Sequence, residues 1–469
     1  MNQDVPSTIN ALSPLDGRYK KYTEGLISYF SEAASMKYKI LMECEYLIAL
    51  SETKGLGVRK LSEEEKAIVR KIYENFSADD AQIITDIELK GYKNIKATNH
   101  DFKAIEYFIK DKFGQTSLKD CVEWIHFGLT SEDASNIAYG LMLSESLKDI
   151  YLPVLEDLIN KIVRLAKDNA KTPMLSRTHG QPASPTTFGK EFKNFAARLE
   201  RYSRNLKNVK ILAKLNGAVG NYNALVVAYP QIDWINFSKK FIDQINKQRK
   251  VNLEVNLLTT QIEPHDSYVE LFDVLRHINT ILLDFNQDVW RYISDGWIMQ
   301  KPVEGEVGSS TMPHKINPWF LENSEGNLGM ANAMFTYFAA KLPISRLQRD
   351  LSDSTVQRNF GAAIGYCLIG FGYLTNQLGR IAVNGQKARE DLESHPEVIA
   401  EAIQTILRRE GVVMPYEKLK DLTRGRKATL DDLRKFIDSL DVPDKVKKEL
   451  KKITPVNYIG LAEKLVDEI

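Results

Sequence analysis

Apolar residues recur at steps of three and four along most of the chain, the periodicity of helices with one buried face. The longest such segment runs from about His265 to Asp295, with no glycine or proline to interrupt it. At ~1.5 Å per residue this helix would be roughly 45 Å long. Strand-like alternation is scarce, and we expect only short strands within 211–227 and 251–257. The pattern therefore predicts an all-α fold.

Shorter helices are predicted over 30–51, 61–76 and 101–112, the second with a capping box between Ser62 and Glu65. Long helices are predicted from Thr130 to Leu165, with a bend at Pro153, and over 188–215. After residue 373 the helices become shorter and more charged. These changes predict three domains, an N-terminal helical domain over 1–118, a long-helix bundle over 119–373 and a C-terminal helical domain over 374–469.

The apolar stripe of the 265–295 helix is broader than one neighbouring helix can cover. Leu271, Leu275 and Ile278 lie on it, and Val274 and Ile281 widen it. An ordinary bundle within one chain would satisfy such a helix. Helices of other subunits would serve equally well, and the residues alone leave the choice open.

Composition narrows the functional classes. The 469 residues are 43% hydrophobic and carry a formal net charge of +1, which gives no case for nucleic acid as a partner. The three cysteines are too few and too scattered for a disulfide framework or a zinc site. Residues 1–13 lack an apolar leader core, and no run reaches the roughly 18 apolar residues that span a bilayer. We therefore expect a cytoplasmic protein that does not contact membranes.

A polar loop from Val307 to Trp319 separates two long helical patterns. Its glycine and prolines exclude helix interior, and it carries two serines, a threonine, a histidine, a lysine and an asparagine. Backbone N–H groups and the Lys315 ammonium are suited to holding a small anion. Local chemistry alone leaves open that this is only a polar surface loop.

Histidines differ in their local setting. His126 and His277 are predicted to lie in apolar helix, which favours a core or interface position, and His265 at a helix start is interpreted as a packing residue. His179 is followed by glycine and then by Pro182, so no helix includes it. Local reasoning leaves a catalytic role for His179 open.

The segment from Gly308 to Pro318 reads G-S-S-T-M-P-H-K-I-N-P. It resembles the G-S-S-x-M-P-x-K-x-N-P signature of the fumarase/aspartase superfamily, with every fixed position met and no gap. The histidine before the lysine is typical of the adenylosuccinate lyase branch. Segments 13–19, 217–223 and 261–266 are also similar to that branch, so the resemblance extends along nearly the whole chain.

The resemblance implies a three-domain, all-α fold whose central helices form a homotetramer, with each active site shared between subunits. It implies β-elimination of fumarate from adenylosuccinate, giving AMP, and from the succinylaminoimidazole-carboxamide ribonucleotide, giving the carboxamide ribonucleotide. Both are steps of purine synthesis on small nucleotide substrates. No metal or organic cofactor is implied.

Roles are implied for residues that match the family's positions. Ser309 would be the general base and His179 the general acid, with Glu322 pairing that histidine. His100 and Lys315 would assist catalysis. The other residues would bind substrate: Arg18, Tyr19, Asn99, Asp101, Thr130, Ser131, Gln261, Asn317, Asn323, Arg349, Ser354, Thr355, Val356, Gln357 and Arg358.

Two other functions remain open at the level of sequence. Another fumarate-releasing lyase, such as argininosuccinate lyase, shares the signature, but the arginines suited to phosphate count against it. A catalytically silent tetrameric scaffold on the same fold would be suggested by loss of Ser309 or His179. Both residues are present.

Overall fold

The computed structural model describes residues 8–114, 116–302, 312, 314–423 and 428–468. The α-helices up to residue 294 are α1 Lys20–Thr23, α2 Ile27–Phe30, α3 Glu32–Glu52, α4 Glu63–Glu74, α5 Ala78–Leu89, α6 Asp101–Phe113, α7 Ser131–Ser146, α8 Leu152–Asp168, α9 Phe188–Asn208, α10 Asn223–Ala228, α11 Trp234–Arg249 and α12 Asp266–Ser294. The later ones are α13 Trp319–Lys341, α14 Ser352–Gln357, α15 Phe360–Leu378, α16 Gly385–Glu393, α17 Ala400–Arg409, α18 Pro415–Thr423, α19 Leu430–Ser439, α20 Asp444–Lys451 and α21 Ala462–Leu465. The predicted all-α class is confirmed.

Six short strands form three two-stranded sheets among the described residues: β1 Pro173–Thr178, β2 Gln181–Thr187, β3 Ile211–Ala213, β4 Leu253–Val255, β5 Ile298–Gln300 and β6 Ile381–Val383. β1 and β2 pair antiparallel, β3 and β4 pair parallel, and β5 and β6 pair antiparallel. β3 and β4 fall in the two segments where strands were predicted. The β1–β2 hairpin was not predicted.

A π-helical turn over Leu147–Tyr151 lies between α7 and α8, just before Pro153, and the bend at Pro153 itself stays a prediction. The ring of Pro153 cannot accept the ordinary helical path, because it has no N–H and would clash with the carbonyl of Asp149 four residues earlier. A wider turn relieves this conflict. The predicted helix over 188–215 ends earlier, at Asn208, and the chain then enters β3.

The chain forms two compact units, each assembled from three stretches of sequence. The first contains residues 1–154, 204–279 and 327–369, and the second contains 155–203, 280–326 and 370–469. The division into domains at 118 and 373 stays a prediction.

Each unit has an aromatic core. In the first unit, Phe272 packs against Phe335 and Phe360 with ring centroids 5.5 and 5.1 Å apart. In the second, Phe285 packs edge-on against Phe192 and Phe195 at 6.2 and 5.2 Å. Phe192, Phe195 and Phe285 lie on the helical faces that the apolar periodicity predicts. No described helix is both long and apolar enough for a membrane span.

His126 is not in a helix, contrary to the sequence interpretation. It lies in a turn with a φ of 59°, and its Nδ1 is 2.7 Å from Oε1 of the buried Glu43. Burial disfavours the charged imidazole, but the charge and hydrogen bond of Glu43 outweigh it and raise the pKa of His126.

The His126–Glu43 pair predicts a pH-dependent stability. Because the folded pKa lies above the unfolded value of about 6.5, the stabilisation is fully present below that value and is lost as pH rises through the raised pKa. We expect His126→Asn to lower the free energy of unfolding more at pH 6 than at pH 9, by on the order of 1 kcal/mol. Urea denaturation at fixed protein concentration measures this. An equal loss at both pH values would contradict it.

Candidate active site

His179 lies at the tip of the β1–β2 hairpin. Thr178 pairs with Gln181, so the turn consists of His179 and Gly180 alone. Both have positive φ, 51° and 74°, as a type I′ turn requires at its two central positions. Glycine adopts this conformation at no steric cost, while His179 is held in it by the strands on either side. The imidazole is exposed.

Side-chain contacts on both strands fix the hairpin within its unit. The Arg177 guanidinium lies 5.7 Å from the Trp297 ring and its Nη2 is 3.4 Å from Oδ2 of Asp391. On the other strand, the Ser184 hydroxyl donates to Glu401. A fixed hairpin that ends in an exposed imidazole is suited to presenting a proton donor to a bound molecule.

His100 caps the start of α6. Its Nδ1 accepts a hydrogen bond from the Lys103 backbone N–H at 3.3 Å, and Asn99 before it has a φ of 48°. Asp101 is 2.8 Å from Lys39 Nζ. Burial raises the Asp101 pKa, but the charge and hydrogen bond of Lys39 outweigh it, and the net pKa is lowered. His100 and Asn99 are exposed, so this helix start can meet a ligand.

Thr130 and Ser131 stand at the start of α7. Thr130 and Asp133 form a capping box, with the Thr130 N–H donating to Asp133 Oδ2 at 2.9 Å. Asp133 is fully buried and also accepts from Lys214 Nζ at 2.8 Å and from the Gly217 N–H at 3.2 Å. The segment that begins at Gly217 is thereby fixed against α7.

Gln261 belongs to the same region of the first unit. Its side chain donates to the Ala218 carbonyl at 3.1 Å, and its backbone N–H donates to the Gln348 carbonyl at 3.3 Å. Arg349, which directly follows Gln348 in the sequence, is also a predicted substrate contact. Backbone contacts therefore bring two predicted binding segments side by side.

Arg349 is anchored by a buried carboxylate. Its Nη1 donates to Oε2 of Glu132 at 2.7 Å, and Glu132 is 4% exposed. Nearby, Nε2 of the fully buried His265 lies 3.4 Å from Oδ2 of Asp353. Burial raises the pKa of Glu132, although Arg349 opposes this. Sequence reasoning did not single out Glu132 or Asp353, and it interpreted His265 as packing.

The remaining predicted phosphate contacts lie in the first unit. Asp16 and Lys20, which flank the Arg18–Tyr19 pair, line a cavity of about 480 Å³ together with Arg358. Arg358 pairs with Glu32. Two other predicted contacts, Val356 and Gln357, have buried side chains, Ser354 is half-buried and Thr355 is exposed. Their roles stay predictions.

The signature segment is described only in part. Ser309 lies outside the described residues, as do residues 303–311 as a whole and Pro313. Lys315 is exposed and Asn317 is half-buried. The Gln300 side chain donates to the Ile316 carbonyl at 2.8 Å, which holds the end of the segment near α13.

Glu322 and Asn323 follow on the first turn of α13. Glu322 is exposed, and its Oε1 accepts a hydrogen bond from Trp290 Nε1 at 3.2 Å. The Asn323 amide donates to the Trp319 carbonyl at 3.0 Å. Trp290 thereby orients the Glu322 carboxylate at the start of α13.

Two family models match the chain, "Lyase" over residues 17–333 and "Adenylosuccinate lyase C-terminal" over residues 345–459. An adenylosuccinate lyase from Haemophilus influenzae is 47% identical over 465 residues, 99% of each chain. Those from Escherichia coli and Dictyostelium discoideum are 45% and 46% identical, covering 99% and 97% of each chain.

Solved structures show the same fold. A fumarate lyase from Mesorhizobium sp. BNC1 has a TM-score of 0.71 at 17% identity, over 95% of this chain and 96% of its own. The 3-carboxy-cis,cis-muconate lactonizing enzyme from Pseudomonas putida has a TM-score of 0.69 at 19% identity, over 96% and 97%. At these identities the likeness concerns the fold alone.

The helical fold and the complete signature from Gly308 to Pro318 define a lyase of the fumarase/aspartase superfamily. The C-terminal match and the relatives aligned over almost the full length are more specific. The chain belongs to the adenylosuccinate lyase family.

Proposed function

We propose that this chain cleaves the C–N bond of adenylosuccinate to give AMP and fumarate, and cleaves succinylaminoimidazole-carboxamide ribonucleotide in the same way. The observation that carries the proposal is the full-length similarity to adenylosuccinate lyases together with an unbroken signature segment. The exposed His179 on a fixed hairpin and the anchored Arg349 supply groups that this chemistry needs.

The elimination needs a base and an acid on opposite sides of the scissile bond. Ser309 is proposed to remove the proton from the succinyl carbon next to a carboxylate, activated by backbone N–H groups and Lys315. His179 is proposed to protonate the departing nitrogen, with Glu322 favouring the charged imidazole. His100 is proposed as a second histidine beside the substrate.

The carbanion intermediate carries extra negative charge on its carboxylate, so donors and cations must be in place beforehand. Lys315, Asn317, Thr130, Ser131 and Gln261 are proposed to hold the succinyl carboxylates. The residues proposed for the nucleotide phosphate and ribose are Arg18, Tyr19, Arg349, Ser354 and Arg358. The other proposed substrate contacts are Asn99, His100, Asp101, Asn323, Thr355, Val356 and Gln357. Arginine suits phosphate because its planar fork forms two parallel hydrogen bonds.

We also propose that the protein is a cytoplasmic homotetramer with sites shared between subunits. Apolar side chains on one face of α13 support assembly, since Met330 and Tyr337 are 51% and 57% exposed in the single chain. Glu322, whose contact in the chain is with Trp290, would then meet His179 of another subunit. The proposed organisation into domains 1–118, 119–373 and 374–469 follows the same family pattern.

Fumarate release tests the function directly. We expect the purified protein to release fumarate from adenylosuccinate, followed by absorbance, and to release none from argininosuccinate at equal concentration. Release from argininosuccinate alone would assign the chain to that lyase instead. Release from neither substrate by a folded tetramer would favour the scaffold.

A further inference from the structure

Three titratable residues are buried together where α7, α12 and α14 begin, and the half-buried Arg349 lies against them. Glu132 is the second residue of α7, His265 immediately precedes α12, and Asp353 is the second residue of α14. One ligand-type atom from each of these three lies within 4.8 Å of the others, and Arg349 pairs with Glu132. All four residues belong to the first unit.

Burying this cluster lowers the stability of the fold. Glu132, His265 and Asp353 are 4%, 0% and 3% exposed, and among the residues that the structure describes neither Glu132 Oε1 nor His265 Nδ1 has a hydrogen-bond partner. Buried polar atoms without partners destabilise a protein, and apolar residues of similar size would pack there at less cost. The proposed acid–base chemistry uses none of the three, so another role is needed to explain them.

The sequence neighbours of the cluster indicate that role. Thr130 and Ser131 directly precede Glu132, Gln261 precedes His265 by four residues, and Ser354 follows Asp353. All of these are proposed substrate contacts. The cluster therefore joins two segments of this chain that are proposed to bind the succinyl end of the substrate to the segment that is proposed to bind its nucleotide end.

Arg349 connects the cluster to the surface. One guanidinium nitrogen, Nη1, donates to Glu132, while 24% of the side chain remains exposed. A guanidinium has five N–H donors in a fixed plane, so holding one edge on a buried carboxylate orients the other donors. Arg346, on the same loop, shows the contrast, because it is 82% exposed and pairs with Asp350 at the surface.

We propose that Glu132 is a positioning residue that fixes Arg349 for the substrate phosphate, and that Asp353 and His265 hold α14 and α12 around this pair. Asp353 contributes through Oδ1, which accepts from the Ser354 N–H at 2.8 Å, and through Oδ2, which faces His265. The proposal rests on the proposed function, since it takes Arg349 to be a phosphate contact.

Glu132, His265 and Asp353 also have the spacing of metal ligands. The charges around them favour Arg349 as the cation at this position. The Arg349 guanidinium already pairs with Glu132, and its charge also helps to lower the pKa of Asp353 against the effect of burial. A divalent ion in the same space would face that guanidinium at short range.

The test compares ligands with and without a phosphate. AMP and fumarate binding are measured by calorimetry on the tetramer for wild type, Glu132→Gln, Arg349→Gln and the double variant, beside adenylosuccinate turnover. Glu145→Gln is the matched control, because Glu145 is also 4% exposed, also pairs with an arginine, Arg249, and lies at the other end of α7.

We expect Glu132→Gln to weaken AMP binding and to raise KM, each by about 10-fold, while fumarate binding and kcat change less than about 3-fold. If Glu132 acts through Arg349, the double variant binds AMP no more weakly than Arg349→Gln alone. Glu145→Gln should lower the unfolding temperature and leave both affinities unchanged. The double variant also removes the unpaired buried carboxylate, so it remains informative if Arg349→Gln alone does not fold.

Three results would overturn the proposal: equal losses of AMP and fumarate binding in Glu132→Gln, multiplicative losses in the double variant, or a stoichiometric metal ion that is lost with Glu132→Gln. Failure of the proposed function itself is distinguishable. In that case the wild type releases no fumarate, whatever the variants do to AMP binding.

Discussion

Replacing Ser309 with alanine is expected to lower kcat for fumarate release by about 10³-fold. The substitution removes the hydroxyl proposed as general base and leaves the charge of Lys315 in place. Binding should survive, because the carboxylate and phosphate contacts come from other residues. The measurement is steady-state turnover of adenylosuccinate, with AMP and fumarate affinities determined on the same preparation.

The neighbouring Ser310 provides the control for this experiment. Ser310→Ala removes the same group one residue away, and we expect its loss of kcat to be at least about 10-fold smaller than that of Ser309→Ala. Equal losses in the two variants would indicate that the segment, and not one hydroxyl, carries the effect. Near-normal turnover by Ser309→Ala would refute the assignment of the base.

The long helices could be predicted because their signals are local. α12 begins and ends within one residue of the segment predicted from His265 to Asp295, since its buried stripe repeats inside one uninterrupted run. The capping box between Ser62 and Glu65 spans three residues and is present as predicted. Helix bounds and caps can be predicted from the sequence alone, because their signals lie within a few helical turns.

The hairpin that carries His179 could not be read in this way. β2 contains Pro182 and Pro185, which are poor strand residues, and its burial changes from exposed to buried without alternating. The turn dipeptide His179-Gly180 lacks the asparagine or aspartate that makes such turns conspicuous. The glycine was the available signal, and it indicated a turn but not its strands.

The buried cluster was missed for a different reason. Glu132 and Arg349 are 217 residues apart in sequence, and His265 and Asp353 are 88 apart. At a helix start, an acidic residue usually serves the exposed first turn, so local reasoning had no ground to single out Glu132, and it interpreted His265 as a packing residue. These residues form a buried group only because three segments that are distant in sequence pack together. The periodicity of apolar residues carries no information about such contacts.

Mixing two inactive variants should restore activity if each site takes Ser309 and His179 from different subunits. His179→Ala is expected to be as severely impaired as Ser309→Ala, because the leaving nitrogen loses its proton donor. In randomly mixed tetramers, a site is intact only when its position 309 comes from the His179→Ala variant and its position 179 comes from the Ser309→Ala variant. Roughly one quarter of the sites meet that condition in an equal mixture.

We therefore expect about one quarter of wild-type kcat after subunit exchange, against a background near zero for each parent. Exchange is verified by native mass spectrometry of differently tagged variants. As a control, Ser309→Ala is mixed with the double variant Ser309→Ala/His179→Ala, which leaves no intact serine and should restore nothing. Verified exchange with no recovery would place both groups on one subunit, and Glu322 would then have to meet His179 within the chain that carries it.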